Sequence, residues 1–434
     1  MSKRPIYAIV GHPVLHSRSP QIYRQLFRSE NRESIYTRLA VRKISEAISV
    51  MDDLGISGYN VTAPFKKSVL RYLNEVSEPA RKMDAVNTVV RRDGKLVGFN
   101  TDIDGVTGAL RSQEIELSGI SAIVIGAGGA GRAATFGLVK SGANVTLVNR
   151  SVEKAEEIAK SFGCQFAPME NLVDLVKNAK IIVSTLPTGI DVIADEWLNP
   201  DQVLFDANYH SEILKNKAGK RGATFIGGET WLMYQAIPAY RHFTGSQRAI
   251  ELPKIDDSTF SVKNIALIGF MGAGKSAVGT ALAKLLEWEY VDTDEEVVSK
   301  TGKSIPQIFS ELGESAFRKI EQKTIQSVVR KKHSVISCGG GVVLSPENRS
   351  QLADNCLAVW IYAPVETALS RIDLTSRPLL SLNVPDATAE AEKIFQMRKE
   401  WYAGCADLVV INDHRSFQKT AEMIYEEVGS TFSH

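Results

Sequence analysis

At 434 residues the chain is too long for one ordinary hydrophobic core, and an allowance of about 150 residues per domain predicts about three folding units. Its 44% hydrophobic, 23% charged and 8% aromatic content is that of a globular protein and excludes a large disordered portion. Lysine and arginine total 51 against 50 aspartate and glutamate, which excludes the bulk positive field that recruits nucleic acid or an anionic membrane. Small molecules are the expected partners.

The first apolar run, in MSKRPIYAIVGHPVLHSRSP, is broken by Gly11, His12 and Pro13, too early for a signal peptide or a membrane span. Cys164, Cys338, Cys356 and Cys405 lie far apart, form no C-x-x-C pair and have no neighbouring histidine cluster. They read as buried thiols of a reducing compartment, and the expected location is cytoplasmic.

Residues 5 to 100 alternate β-rich runs (IYAIVG, SIYTRLAV, GYNVTAPF, NTVVRRDGKLVGFN) with helical stretches, a complete α/β pattern. Polar side chains stand where strands should end: Ser17 and Ser19, then Asn60, Thr62 and Lys66, then Asn87, then Asn100 and Asp102. They suit a polyhydroxylated substrate, and Lys66 with Asp102 supplies a titratable pair. Taken singly, each reads equally well as a turn residue, a cap or a surface lysine.

Next, SAIVIGAGGAGRAATFGLVKSG (121 to 142) is a strand, a glycine-rich turn and a helix. Gly126, Gly128 and Gly131 satisfy G-x-G-x-x-G, so the loop Gly126, Gly128, Gly129, Ala130 and Gly131 can present backbone N–H groups and a helix N-terminus to a pyrophosphate. The following strand ends in Asn149, Arg150 and Ser151, where a carboxylate would select a ribose 2′-hydroxyl. A guanidinium there pairs with a 2′-phosphate, so NADP is expected over NAD.

The polar stretch ELPKIDDSTFSVKN (251 to 264) is the expected linker, and KNIALIGFMGAGKSAVGTALAKLL repeats the strand–turn–helix signature. Gly269, Gly274, Lys275 and Ser276 complete G-x-x-x-x-G-K-S, with Gly272 and Ala273 inside the loop. Lys275 is expected on the β- and γ-phosphates of ATP and Ser276 on Mg²⁺.

Over nearly all of residues 5 to 250 these blocks, with GGETWLMYQ, resemble the shikimate dehydrogenase family. The resemblance implies NADPH-dependent reduction of 3-dehydroshikimate to shikimate, with Lys66 and Asp102 as the catalytic pair, their division of labour left open. It implies Ser17, Ser19, Asn60, Thr62, Asn87, Tyr209 and Gln235 as the substrate residues. The chain departs from the family pattern at Asp84, at STLPTG (184 to 189), at Trp231 where a methionine is usual, and at Ser211 and Leu214.

From 263 to about 425, VDTDEEV, LGESAFRKIE, SCGGGVV, SRPLL and MRKEWY resemble shikimate kinase. This implies Asp292 near Mg²⁺, Asp294 on the substrate hydroxyls, and Arg318 and Arg398 on the shikimate carboxylate beside Gly339, Gly340 and Gly341. It also implies Arg377 on a lid over the phosphates and Arg371 at the adenine. The expected architecture is therefore α/β throughout. A substrate domain (1–103 and about 228–250) and a Rossmann-like NADP domain (104–227) precede a linker (251–262) and a P-loop kinase domain whose parallel sheet is flanked by helices (263–434). A monomer or homodimer is expected. Two readings compete: a quinate or broad-specificity dehydrogenase fused to another small-molecule kinase, and a fusion with one inactive, regulatory domain.

Overall fold

The computed structural model describes residues 4–209, 212–254, 262–372, 386–413 and 416–432. The chain folds as two compact units, Met1–Val69 with Asp256–His434, and Leu70–Ile255. The return to the first unit after Ile255 falls inside the polar 251–262 stretch, whereas no sequence signal marks the departure after Val69.

In the first unit parallel strands follow the order Glu289–Asp292, Ser334–Ser337, Asn264–Ile268, Leu357–Tyr362, Leu408–Ile411, Ile35–Ala40, Ile6–Gly11, Ile56–Val61. Strands covered on both faces are largely apolar, and every residue of Ile6–Gly11, Ile35–Ala40 and Leu357–Tyr362 is buried, Thr37 and Arg38 among them. The two ends of the chain meet in this sheet, where Val409 pairs with Leu39 and Val410 with Ala40. Around this seam, Tyr362 donates its hydroxyl to Asp53 at 2.8 Å, and Trp360 stacks on Tyr402 with ring centroids 5.5 Å apart. Both Trp360 and Tyr402 are fully buried, so the seam adjoins the aromatic core of the C-terminal half.

The second unit holds a parallel sheet in the order Thr224–Ile226, Val203–Asp206, Ile181–Ser184, Ser121–Ile125, Asn144–Val148, Gln165–Ala167. The chain winds outward from Ser121–Ile125 in one direction and then in the other. The topological switch therefore lies between that strand and Ile181–Ser184, where doubly wound sheets bind ligands. Apolar clusters cover both faces of the sheet. Thr88–Arg92 and Lys95–Phe99 form an antiparallel hairpin whose turn, Asp93–Gly94, has φ of 48° and 78°, the primed geometry that suits strand twist. Among the described residues no helix is long and apolar enough to cross a membrane.

Candidate active sites

In the first unit the strands Ile6–Gly11 and Ile56–Val61 run side by side, and their C-terminal loops carry the polar residues expected for substrate. Thr62 N–H donates to Val10 O at 2.9 Å, tying one loop to the other. Ser17 donates its hydroxyl to that of Ser19 at 3.2 Å, and Ser19 is buried. Asn60 accepts from the Tyr36 hydroxyl at 2.6 Å, and Tyr36 stacks on Tyr23 with ring centroids 4.2 Å apart. Burial raises both phenols, so they stay neutral beneath the serines and Asn60. Lys66, partly exposed, lies just past the cis Ala63–Pro64 bond.

In the second unit, Asn87 donates its side-chain amide to Asp102 Oδ1 at 2.9 Å and to Thr101 Oγ1 at 3.1 Å. Its Oδ1 accepts from Thr101 N–H at 2.9 Å. Asp102 opens the helix Asp102–Arg111 and is buried. Burial of the phenol, reinforced by the carboxylates of Asp102 and Glu229, pushes the Tyr209 pKa up to about 12. Gln235 is half-buried on the helix Gly228–Thr244.

Trp231, on that same helix, donates its indole N–H to Asp102 O at 2.9 Å. Its ring lies so close to Gly105 that a Cβ there would stand 2.3 Å from Trp231 Cδ1. The large side chain at this departure thus buttresses the first turn of the Asp102 helix, and a glycine opposite makes room for it. At the second departure, Asp84 takes a left-handed conformation (φ 51°) closing the helix Glu78–Met83, a geometry that aspartate tolerates and glycine adopts freely.

The first glycine-rich turn sits at the switch point of the second unit. Open space surrounds Gly128 and Gly129, while a Cβ on Gly131 would lie 1.9 Å from Gly126 O. The bare outer backbone and tight inner packing fit a dinucleotide pyrophosphate. Thr185, in the departing STLPTG segment, donates its hydroxyl to Ile125 O at 2.9 Å and to Gly126 O at 3.3 Å, bracing the loop from below. Asn149 accepts from Ala127 N–H at 3.2 Å, Ser151 caps the next helix, and Arg150 is exposed between them. Gly131→Ala must part the loop from the helix. Its KM for NADPH should rise about 10- to 100-fold, the scale of 1–3 kcal/mol of overpacking, with ATP-dependent activity unchanged, as steady-state kinetics would read.

In the first unit the P-loop runs from Gly269 into the helix Lys275–Leu286, whose N-cap is Gly274. Lys275 Nζ donates to Gly269 O at 3.0 Å and Phe270 O at 2.9 Å, folded across its own loop. Within the loop Ala273 is fully buried, and a Cβ on Gly272 would lie 2.1 Å from Ala368 O. Ser276 donates its hydroxyl to Asp292 Oδ2 at 3.0 Å, and Tyr290 reaches the same oxygen at 3.1 Å. Ser276 and Asp292 are hard oxygen ligands of the kind Mg²⁺ takes alongside water and phosphate, so the pair fits that ion.

Beside the P-loop lies a cleft lined by Asp294, Arg318, Glu321, Gly339, Gly340, Gly341 and Arg398. Arg318 is held by Glu314 and Glu321, each at 3.0 Å, and Arg398 donates to Gly340 O at 3.3 Å. The expected kinase residues are thus brought together. Sequence reading missed two. Glu321, three residues past Arg318, is buried with Oε1 unpartnered, and burial raises its pKa while Arg318 opposes the rise. Tyr402, four residues past Arg398, donates its hydroxyl to Gly340 O. Spacings of three and four on one helix were the available signal. Arg371 donates to Asn412 O at 3.0 Å and to Asp413 O and lies over the Phe417 ring. Arg377 and Ser211 lie outside the described residues.

A switch-point dinucleotide loop and a P-loop beside a guanidinium-lined cleft define a fusion of a dinucleotide-dependent oxidoreductase with a P-loop phosphotransferase. Residues 9–89 match the model of the shikimate dehydrogenase substrate binding domain, residues 109–202 that of shikimate / quinate 5-dehydrogenase, and residues 271–429 that of shikimate kinase. The NADP(+) shikimate dehydrogenase of Pyrococcus furiosus is 36% identical over 254 residues, spanning 57% of this chain and 93% of the relative. The crystal structure of shikimate dehydrogenase from Aquifex aeolicus is 32% identical, with a TM-score of 0.54 over 57% of this chain and 96% of that one. The Thermus thermophilus enzyme in complex with NADP(H) and shikimate is 31% identical, with a TM-score of 0.52 over 58% and 95% of the two chains. The chain belongs to the shikimate dehydrogenase family and carries a shikimate kinase domain at 271–429.

Proposed function

We propose that one polypeptide reduces 3-dehydroshikimate to shikimate with NADPH and then phosphorylates shikimate to shikimate 3-phosphate with ATP and Mg²⁺. The observation that carries the reading is the cleft beside the P-loop, where Arg318 and Arg398 face a space that Asp294 also lines. A guanidinium fork matches a carboxylate and Asp294 accepts from hydroxyls, so the cleft suits a small carboxylated polyol. The product of the first reaction is such a molecule.

Bound NADPH supplies hydride to the substrate carbonyl. Lys66 stabilises the charge that develops on oxygen and supplies the proton, and Asp102, held by Asn87, orients the substrate hydroxyls. Ser17, Ser19, Asn60, Thr62, Tyr209 and Gln235 complete the substrate contacts. Gly126 to Gly131 receive the pyrophosphate, and Asn149, Arg150 and Ser151 the 2′-phosphate end.

Bound ATP and Mg²⁺ supply the phosphoryl group and its charge neutralisation. Lys275 leaves its own loop carbonyls for the phosphates, Ser276 and Asp292 hold the metal, and Asp294 takes the proton of the attacking hydroxyl. Arg371 borders the adenine, and Arg377, outside the described residues, is assigned to the phosphates by the family resemblance. We assign the oxidoreductase to residues 1–250 and the kinase to 263–434, in the reducing cytoplasm, a location the four free thiols support.

A coupled assay tests the whole. With 3-dehydroshikimate, NADPH, ATP and Mg²⁺, stoichiometric shikimate 3-phosphate is expected; none would refute the reading, and equal turnover of a quinate-type substrate would favour the broad-specificity alternative. Chelating Mg²⁺ should stop phosphorylation and leave NADPH oxidation intact, so shikimate accumulates. Mass spectrometry of the products distinguishes these outcomes.

A further inference from the structure

The helix Phe417–Phe432 belongs to the kinase half by sequence, yet one of its side chains ends in the loop that carries Ser17 and Ser19. Glu427 Oε2 accepts from Val14 N–H at 2.7 Å and from Leu15 N–H at 2.8 Å. Its Oε1 lies 2.8 Å from His12 Nδ1, and Glu427 is fully buried. The other imidazole nitrogen of His12 lies 2.9 Å from Glu426, which Arg42 also pairs with at 3.0 Å.

The hold passes directly to the serines. Val14 O accepts from Ser17 N–H at 3.0 Å, closing a turn whose first residue is fixed by Glu427. Ser17 O accepts from Arg38 at 2.8 Å, and Arg38 in turn donates to Asp407 O at 3.1 Å, again a residue of the kinase half. Both sides of the serine loop are therefore anchored to residues beyond 400.

A buried carboxylate is costly unless hydrogen bonds and a counter-charge compensate it. Two backbone N–H groups and His12 do so here. The bond to Glu427 raises the His12 pKa against the opposing effect of burial, and Glu426 adds to the rise, which favours the cationic ring beside the carboxylate. An apolar residue of similar volume would leave the buried Val14 and Leu15 N–H groups without this acceptor. The carboxylate oxygens organise a loop with no regular secondary structure.

We propose that Glu427 is a positioning residue for the dehydrogenase reaction: the kinase half supplies the carboxylate that sets the Val14–Ser19 loop, and with it the substrate-facing hydroxyls of Ser17 and Ser19. The inference rests on the dehydrogenase reading given above. It makes the affinity of the first reaction for its substrate depend on the last helix of the second enzyme.

The test uses the full chain, with NADP⁺-linked oxidation of shikimate and ATP-dependent phosphorylation measured side by side. Glu427→Ala should raise the dehydrogenase KM for shikimate about tenfold or more, the scale of losing charge-assisted bonds, with kcat, the KM for NADP⁺ and the kinase constants each within about twofold to threefold. Glu427→Gln, whose amide oxygen still accepts from Val14 and Leu15 and whose NH₂ donates to neutral His12, should restore most of the affinity. If the alanine variant does not fold, the glutamine variant measured at rising pH decides. As His12 loses its proton the glutamine chain should approach wild-type KM, and a constant gap would count against the proposal. Amide exchange over residues 12–19, faster in Glu427→Ala, reports the hold on the loop independently of turnover. A wild-type chain that oxidises no shikimate would remove the functional reading while the exchange result still stood. Unchanged shikimate KM with unchanged exchange, or loss confined to the kinase, would overturn the positioning role.

Discussion

Replacing Lys275 by alanine is expected to lower phosphoryl transfer by at least about 10³-fold while NADPH-dependent reduction in the same polypeptide stays within about twofold. The ammonium now bonds Gly269 O and Phe270 O, which holds it over the loop that is to receive the phosphates. Those carbonyl bonds can be exchanged for bonds to phosphate oxygens. Among the described residues lining the neighbouring cleft, Arg318 is engaged with Glu314 and Glu321, and Arg398 with Gly340. Lys275→Arg should remain strongly impaired, because a planar fork longer than the lysine tip does not fit a loop wound this tightly. Isotopic transfer from ATP measures the loss, and residual activity within tenfold of wild type would reject the assignment.

The second large effect is expected at Lys66. Lys66→Ala should reduce dehydrogenase turnover by about 10²- to 10⁴-fold, the usual contribution of a positioned proton donor, with phosphorylation of added shikimate unaffected. Lys66→Arg should not rescue it, because guanidinium keeps its charge but does not give up a proton in the accessible range. The kcat, more than the KM for shikimate, carries the loss. The opposite pattern would make Lys66 a binding residue and transfer the proton role to another group.

Much of this organisation was legible because the relevant signals are local. Each glycine-rich turn lies between an apolar strand and a helical pattern, and a backbone approaching phosphate leaves its mark as missing side chains at fixed spacing. The Asp93–Gly94 turn carries the same kind of mark, since φ above zero restricts residue choice, but NTVVRRDGKLVGFN reads in sequence only as one β-rich run. The departures at Asp84, 184–189 and Trp231 stood out in sequence, but their compensations did not. Thr185 braces the Gly126 loop, and Trp231 requires Gly105, more than 120 residues away in the chain, a complementarity that only packing reveals. Pairing between Ile35–Ala40 and Leu408–Ile411 was invisible: strands buried on both faces carry no alternation that could name a partner. Glu427 was overlooked because a lone glutamate in an acidic run on a C-terminal helix reads as a solvated face.

That seam also sets a timetable for biogenesis. Thr37 donates its hydroxyl to Ala406 O across 369 residues of chain. At synthesis rates of about 5–20 residues per second, Ile35–Ala40 waits roughly 20–70 s for the strand that covers its edge. A parallel strand with an open edge is a template for unwanted pairing, and contacts this distant in sequence form slowly even after the chain is complete. The fusion therefore trades a period of aggregation risk at the ribosome for a folded state whose two enzymes share one sheet.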